Sequence, residues 1–327
     1  MISSNFQMKR VRAILSLTHT IPHGRGLAMT HAATHPLPLT DPRTAPLALV
    51  VPFCLAWSSA FAAGKIGLAD CPPLLLLAFR FLIAGALLAA VAAWRGEYRG
   101  MAGRTLGLLA LLGLLNHALY LGLSYSGMTY VSSGLTALIV SANPVLTAAL
   151  AALLLGEAMN RRKALGLALG VVGVALVVRG RLGSGTDAPL GIALAVGALV
   201  ALSVGTLLFK RLAPRTGLLA GTGVQVLVAG LALLPIGLLV EDAGSIRLTA
   251  GFAGSLVYQA LVVSIGGYLL WFRLLQRTSA TEASAYHFLM PPLGMLFGWA
   301  LLGETVQPWD LLGILPVALG IRLVTRG

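Results

Sequence analysis

Polar positions are sparse along this chain, and the apolar runs between them are long. From Ser132 about twenty-four residues pass before the charge of Glu157, a length that at ~1.5 Å per helical residue exceeds a hydrocarbon core of ~30 Å. The run predicts a membrane-spanning helix. Pro144 inside it removes a backbone hydrogen bond, so a kink is expected, with Asn143 and Ser141 placed to re-satisfy the freed carbonyl. The same pattern recurs along the chain. It predicts spans at 46–64, 73–94, 105–125, 130–155 and 164–178, then 189–209, 217–240, 253–272, 281–303 and 311–325.

The pattern also repeats itself. Pro144 and Pro291 are 147 residues apart, as are Gly156 and Gly303, Glu157 and Glu304, Gly166 and Gly313, Gly173 and Gly320, and Arg179 and Arg326. Glycines alone could coincide in a Gly-rich chain, but only five glutamates exist. Matching Pro, Gly-Glu and Arg at one spacing therefore reads as an internal duplication. Ala60-Phe61-Ala62 resembles a signal-cleavage site, yet Ala56, Ser58 and Lys65 of the first span recur as Ala201, Ser203 and Lys210. A duplicated span is expected to be a retained helix.

Composition sharpens the class. The chain is 57% hydrophobic and 10% charged, with mean hydropathy +0.90, against about 25% charged residues in soluble domains. Cys54 and Cys71 offer neither a disulfide framework nor metal-ligand spacing. Residues 1–45 differ from the rest: they carry Lys9, Arg10, Arg12, Arg25 and Arg43 with only Asp41 as an acid. They read as a disordered basic N-terminal tail, with Met29 as an alternative start. His19, His23, His31 and His35 lie there among Pro, Gly and Thr without a helical frame, so no metal motif is expected.

Charge decides orientation. With the N-terminus inside, thirteen Lys and Arg outside the tail fall in cytoplasmic segments, from Arg95 to Arg326, and only Lys65, Arg179, Arg181 and Arg247 fall outside. Both termini are then cytoplasmic. The net charge of +13 is absorbed as topological anchors in short loops, without a nucleic-acid reading element. Five spans per repeat force the halves into opposite orientation. Accordingly, Arg161-Arg162-Lys163 after the first Gly-Glu becomes Val306-Gln307-Pro308-Trp309-Asp310 after the second. Inverted repeats are a recurrent plan of secondary transporters, with the substrate held near the midplane.

Trp57-Ser58-Ser59, Ala78-Phe79-Arg80-Phe81, the Asn143-Pro144 helix closing on Leu155-Gly156-Glu157 and a Gly-rich fifth span resemble the drug/metabolite transporter superfamily, specifically its EamA-type family. The likeness covers about residues 46 to 327. It implies an all-α, inner-membrane protein of ten transmembrane helices in two inverted five-helix repeats, 46–180 and 188–327, moving small metabolites, often amino acids. The second half departs from the first: Leu202 stands where the first has Trp57, and Gln225 where it has Arg80.

Arg80 lies about seven residues, roughly 10 Å, into its helix. A charge at that depth is a functional-site candidate, the competing account being a side chain that snorkels to the outer headgroups. Trp57, Ser58, Phe61, Asn116, Tyr120, Gln259, Tyr268, Trp271, Tyr286 and His287 are the further candidates for substrate binding. Aromatic walls with a few polar groups hold amphipathic ligands and suit an amino group through cation–π contact, although core packing accounts for such residues too. Pro144 and Pro291, both near the bilayer middle, are the hinge candidates.

Absences narrow the cargo. All ten acidic residues fall in the tail, loops or helix ends, whereas a pump for lipophilic cations needs a carboxylate within the membrane. No embedded cluster of Lys and Arg suits a phosphorylated cargo, and no P-loop suits ATP. The expectation is a secondary transporter exporting a small neutral or zwitterionic metabolite. No cofactor, metal or catalytic residue is expected, and the protein is read as a monomer in lipid. An uncoupled facilitator is the alternative. An intramembrane enzyme would need clustered acid–base groups at one face, where Glu157 and Glu304 end on opposite faces.

Overall fold

The structure is a computed structural model that describes residues 47–127, 130, 139–140, 142–179, 189–212, 216–303 and 308–325. The tail, Ser132, Ser141, Arg181 and Glu304 lie outside the described residues, as do the side chains of Phe61 and Pro291. Among the described residues every regular element is helical. The chain runs α1 (Leu47–Leu68), α2 (Pro73–Trp94), α3 (Gly103–Gly127), α4 (Asn143–Leu155), α5 (Arg161–Arg179), α6 (Pro189–Leu212), α7 (Leu218–Val240), α8 (Ala250–Arg277), α9 (Ala280–Leu302) and α10 (Pro308–Thr325).

Seven of these helices, α1 to α3 and α6 to α9, are long and apolar enough to cross a membrane. The others are shorter in apolar length: α4 has 13 described residues, α5 opens on Arg161, Arg162 and Lys163, and the apolar stretch of α10 is Leu315–Thr325. Large apolar side chains such as Leu153 and Leu239 stand exposed on the outside, as a surface solvated by lipid requires.

Helix ends follow from local chemistry. Gly156 and Gly303 close α4 and α9 with φ of 67° and 68°, a left-handed conformation that glycine adopts without penalty. The kink expected at Pro144 falls next to residues outside the described ones, 131–138 and 141. Pro144 stands in the first turn of α4, after a turn at Ala142, where a missing N–H removes no intrahelical bond. Likewise α9 is α-helical over Ala280–Ala285, tightens to a 3-10 turn over Tyr286–Leu289 and restarts at Met290, with Pro291 in that first turn. Each proline stands in the first turn of an α-helical stretch. Two further irregularities have no signature in the hydrophobic pattern: α3 widens to a π-helix over Leu114–Leu119, and α8 over Gln259–Gly267.

The most extensive packing is α2 along α7 and α5 along α10. Close approach depends on small residues. A Cβ on Gly85 would stand 2.6 Å from the Leu227 backbone, and one on Gly320 would stand 2.6 Å from the Gly166 carbonyl oxygen. Two further seams flank these pairs, with α1 packing on α8 and α9, and α6 on α3 and α4. Charge joins α2 and α7 at both ends. Glu97, beyond the end of α2, accepts the Ala220 amide in the first turn of α7 at 3.0 Å. Glu241, beyond the end of α7, accepts the Leu74 and Leu75 amides of α2 at 2.9 and 3.0 Å. A carboxylate at a helix N-terminus satisfies orphan amides and opposes the helix dipole.

Candidate substrate site

Arg80 is buried at 2% exposure in the interior of α2. Its Nε donates to Ser264 Oγ at 2.6 Å, one Nη donates to Gln259 Oε1 at 3.0 Å, and the other donates to Tyr268 OH at 3.2 Å. Its guanidinium also lies 5.3 Å from the Phe81 ring centre and 5.9 Å from that of Tyr268. The side chain is therefore directed at α8, not at the end of its own helix. Among the described residues no carboxylate pairs with it. Three neutral acceptors hold the guanidinium in place but do not balance its charge, which leaves it suited to a buried anion.

The π segment of α8 makes this arrangement possible. In an α-helix residues five apart point to different sides, whereas the i→i+5 winding of a π-helix stacks them. Gln259 and Ser264 are five apart and both reach Arg80. The Gln259 amide is oriented from behind: its Nε2 donates to Ser255 Oγ at 3.0 Å, and that hydroxyl donates to the Ala63 carbonyl of α1 at 2.6 Å. A second link to α1 joins Ser59 and Tyr258 through their hydroxyls at 2.7 Å.

Beside the arginine stands an aromatic wall. Trp57 of α1 lies 5.6 Å from Tyr268, 6.3 Å from Trp271 and 5.7 Å from His287, ring centre to ring centre. Phe53 stacks on Trp271 at 5.4 Å, and His287, whose Nδ1 lies 3.2 Å from the Ser284 carbonyl oxygen, contacts Trp271 edge-on at 4.8 Å. On the other side of Tyr268 lies His117 of α3, its ring 4.3 Å away.

Of the residues singled out from sequence, Trp57, Arg80, Gln259, Tyr268, Trp271 and His287 meet in this one network. Tyr120 and Tyr286 are buried in the same core. Ser58 is buried on α1 with an unpartnered hydroxyl. Asn116 instead faces α6, against Gly205. Gln225, the counterpart of Arg80, bonds only the Gly221 carbonyl one turn back, at 3.1 Å. Ser264, Phe53 and His117 join the network without having been chosen as site residues. Ser264 had a signal, being a polar residue in mid-run, but a period of 3.6 turns it away from Gln259.

The described acids serve helix ends. Glu157 accepts from the Ala280 amide at 2.9 Å and from the Thr281 hydroxyl at 2.7 Å, Glu282 completes a capping box with Ser279, and Asp70 pairs with Arg247 at 2.9 Å. At the start of α2, burial and then the neighbouring Glu241 charge push the Cys71 thiol up to about 11, so it is not a thiolate at neutral pH. No three His, Cys, Asp or Glu side chains group as metal ligands among the described residues.

The model of the EamA-like transporter family matches residues 45–179 and again 189–326. The chain is 31% identical over 283 residues to the uncharacterized transporter YvbV of Bacillus subtilis, covering 86% of this chain and 92% of the relative. It is 28% identical over 277 residues to the uncharacterized inner membrane transporter YedA of Escherichia coli K12, covering 84% and 88%. It is also 28% identical over 295 residues to a probable amino-acid metabolite efflux pump of Salmonella typhimurium, covering 86% and 94%. A solved crystal structure matches the fold with a TM-score of 0.73 at 19% identity, covering 85% of this chain and 96% of its own.

Proposed function

The chain belongs to the EamA-like transporter family, and from that membership we propose that it is a secondary transporter of the inner membrane, exporting a small neutral or zwitterionic metabolite such as an amino acid by alternating access. The observation that carries this reading is Arg80, a buried guanidinium with no paired carboxylate among the described residues, held by neutral groups beside an aromatic wall. A substrate carboxylate supplies the missing charge, and Trp57, Tyr268 and Trp271 offer faces to an ammonium group. The name of the Salmonella relative, an amino-acid metabolite efflux pump, agrees.

Ten membrane helices in two inverted repeats belong to the same proposal. Its supports are the double family match, the matched left-handed glycines at 156 and 303, and the packing, in which α2–α7 and α5–α10 pair equivalents and α1–α8 and α1–α9 mirror α6–α3 and α6–α4. Both termini then lie in the cytoplasm. The helix-end placement of the described acids supports a carrier over an intramembrane catalyst.

The test is exchange of labelled amino acids by the purified protein in proteoliposomes, with and without a pH gradient. Arg80→Ala is expected to abolish exchange, and Arg80→Lys to restore part of it, because an ammonium lacks the bidentate fork. A folded Arg80→Ala variant that exchanges normally would overturn the reading.

A further inference from the structure

The corner where α8 turns into α9 is gripped by charge from two other helices. Glu157 follows α4: Gly156 ends that helix at φ 67°, and the Glu157 amide folds back to the Ala151 carbonyl at 3.2 Å. Its carboxylate accepts the Ala280 amide at 2.9 Å, the Thr281 amide at 3.4 Å and the Thr281 hydroxyl at 2.7 Å, all in the first turn of α9. Lys210, in the last turn of α6, donates to the carbonyls of Leu275 and Thr278 at the end of α8. An anion thus sits on an amide end and a cation on a carbonyl end, each opposing the local helix dipole. Beside these grips Ala151 of α4, Leu207 of α6 and Ala280 of α9 pack into a small buried apolar plug.

This corner ends both helices that carry the second wall of the site. Tyr268 precedes Leu275 by seven residues on α8, and His287 follows Ala280 by seven on α9, roughly 10 Å along either helix. A swing of the corner therefore carries the tyrosine that holds Arg80 together with the histidine of the aromatic wall. The gripping side chains belong to other elements, so letting go breaks no bond within α8 or α9. The α2–α7 pair is built otherwise. Carboxylates clamp both of its ends, and Gly85 meets the Leu227 backbone with no room for a Cβ. Arg161, Arg162 and Lys163 open α5 just beyond Glu157, and Arg211 follows Lys210, which puts the corner at the cytoplasmic end in the orientation proposed above.

We propose that Glu157 and Lys210 are the latch of the cytoplasmic gate, shut in this structure, and that the site opens to the cytoplasm when the α8–α9 corner swings off both. The inference rests on the carrier reading above, which requires the site to open to each side in turn. Bonds from these two side chains to backbone groups are exchanged for bonds to water as the corner opens, so their net hold is modest. A gate that reopens in every cycle needs such a hold.

The experiment is thiol labelling of Ser284→Cys, a buried position one turn into α9 from Ala280, in a background with Cys54→Ala and Cys71→Ala. A membrane-impermeant maleimide is applied to inverted vesicles, which present the cytoplasmic face, and to spheroplasts, which present the outer face. Labelling from the cytoplasmic face is expected to be slow with the latch intact and about tenfold faster with Glu157→Gln or Lys210→Met, the loss of a charged hydrogen bond, while the outer rate stays level or falls. Lys210→Arg keeps a cationic donor and should stay within about twofold of the parent. A cytoplasmic rate unchanged in both Glu157→Gln and Lys210→Met would overturn the latch. So would an equal rise from both faces, which marks a loosened fold and not an opened gate. Labelling needs no substrate, so a one-sided response in a protein that exchanges no amino acid would uphold the latch while overturning the cargo proposed above.

Discussion

The anchors of Arg80 can be removed one at a time. Tyr268→Phe deletes the hydroxyl that accepts at 3.2 Å but keeps the ring beside the guanidinium. The expected loss is about 1 kcal/mol, roughly fivefold in half-saturating substrate concentration. Ser264→Ala removes the shorter of these two bonds to the same guanidinium, at 2.6 Å against 3.2 Å, and should cost about 2 kcal/mol, roughly thirtyfold. Saturation curves for exchange check both, and unaltered curves would place the substrate elsewhere. Arg80, Gln259 and Tyr268 were legible as polar residues embedded in apolar runs. Ser264 was not, because an ideal helix sets it about 140° from Gln259.

At the scale of the element, the first turns that carry Pro144 and Pro291 are the hinge candidates. Sequence marked Pro144 and Pro291 through their shared offset, yet a hydrophobic run reads as continuous whether or not its backbone stops and restarts. In α9 the break is a 3-10 turn, Tyr286–Leu289, that carries His287 at the aromatic wall. A hinge there would move one wall of the site. Pro291→Ala is expected to slow turnover several-fold with little change in apparent affinity, because it impairs the gating step and not binding. A folded Pro144→Ala, Pro291→Ala double variant with unaltered turnover would leave both prolines as packing features.

For the whole molecule, orientation is the testable property. Reporter fusions after Arg181 and after Arg247 should both score as external, and an internal signal from either would break the inverted-repeat argument. Seven helices, α1 to α3 and α6 to α9, lie close to spans expected from hydropathy, because a bilayer demands long apolar runs with no polar punctuation. Which helices touch was not legible, because lipid and protein neighbours select the same residues. Glu97 and Glu241 illustrate this: each reads as a loop charge, and each proves to close the first turn of a helix in the opposite half. That exchange bears on how the protein is made. The Leu74 amide emerges from the ribosome well over a hundred residues before its partner Glu241 is translated, so the leading half must wait in the bilayer with an open helix end until the trailing half arrives to seal it.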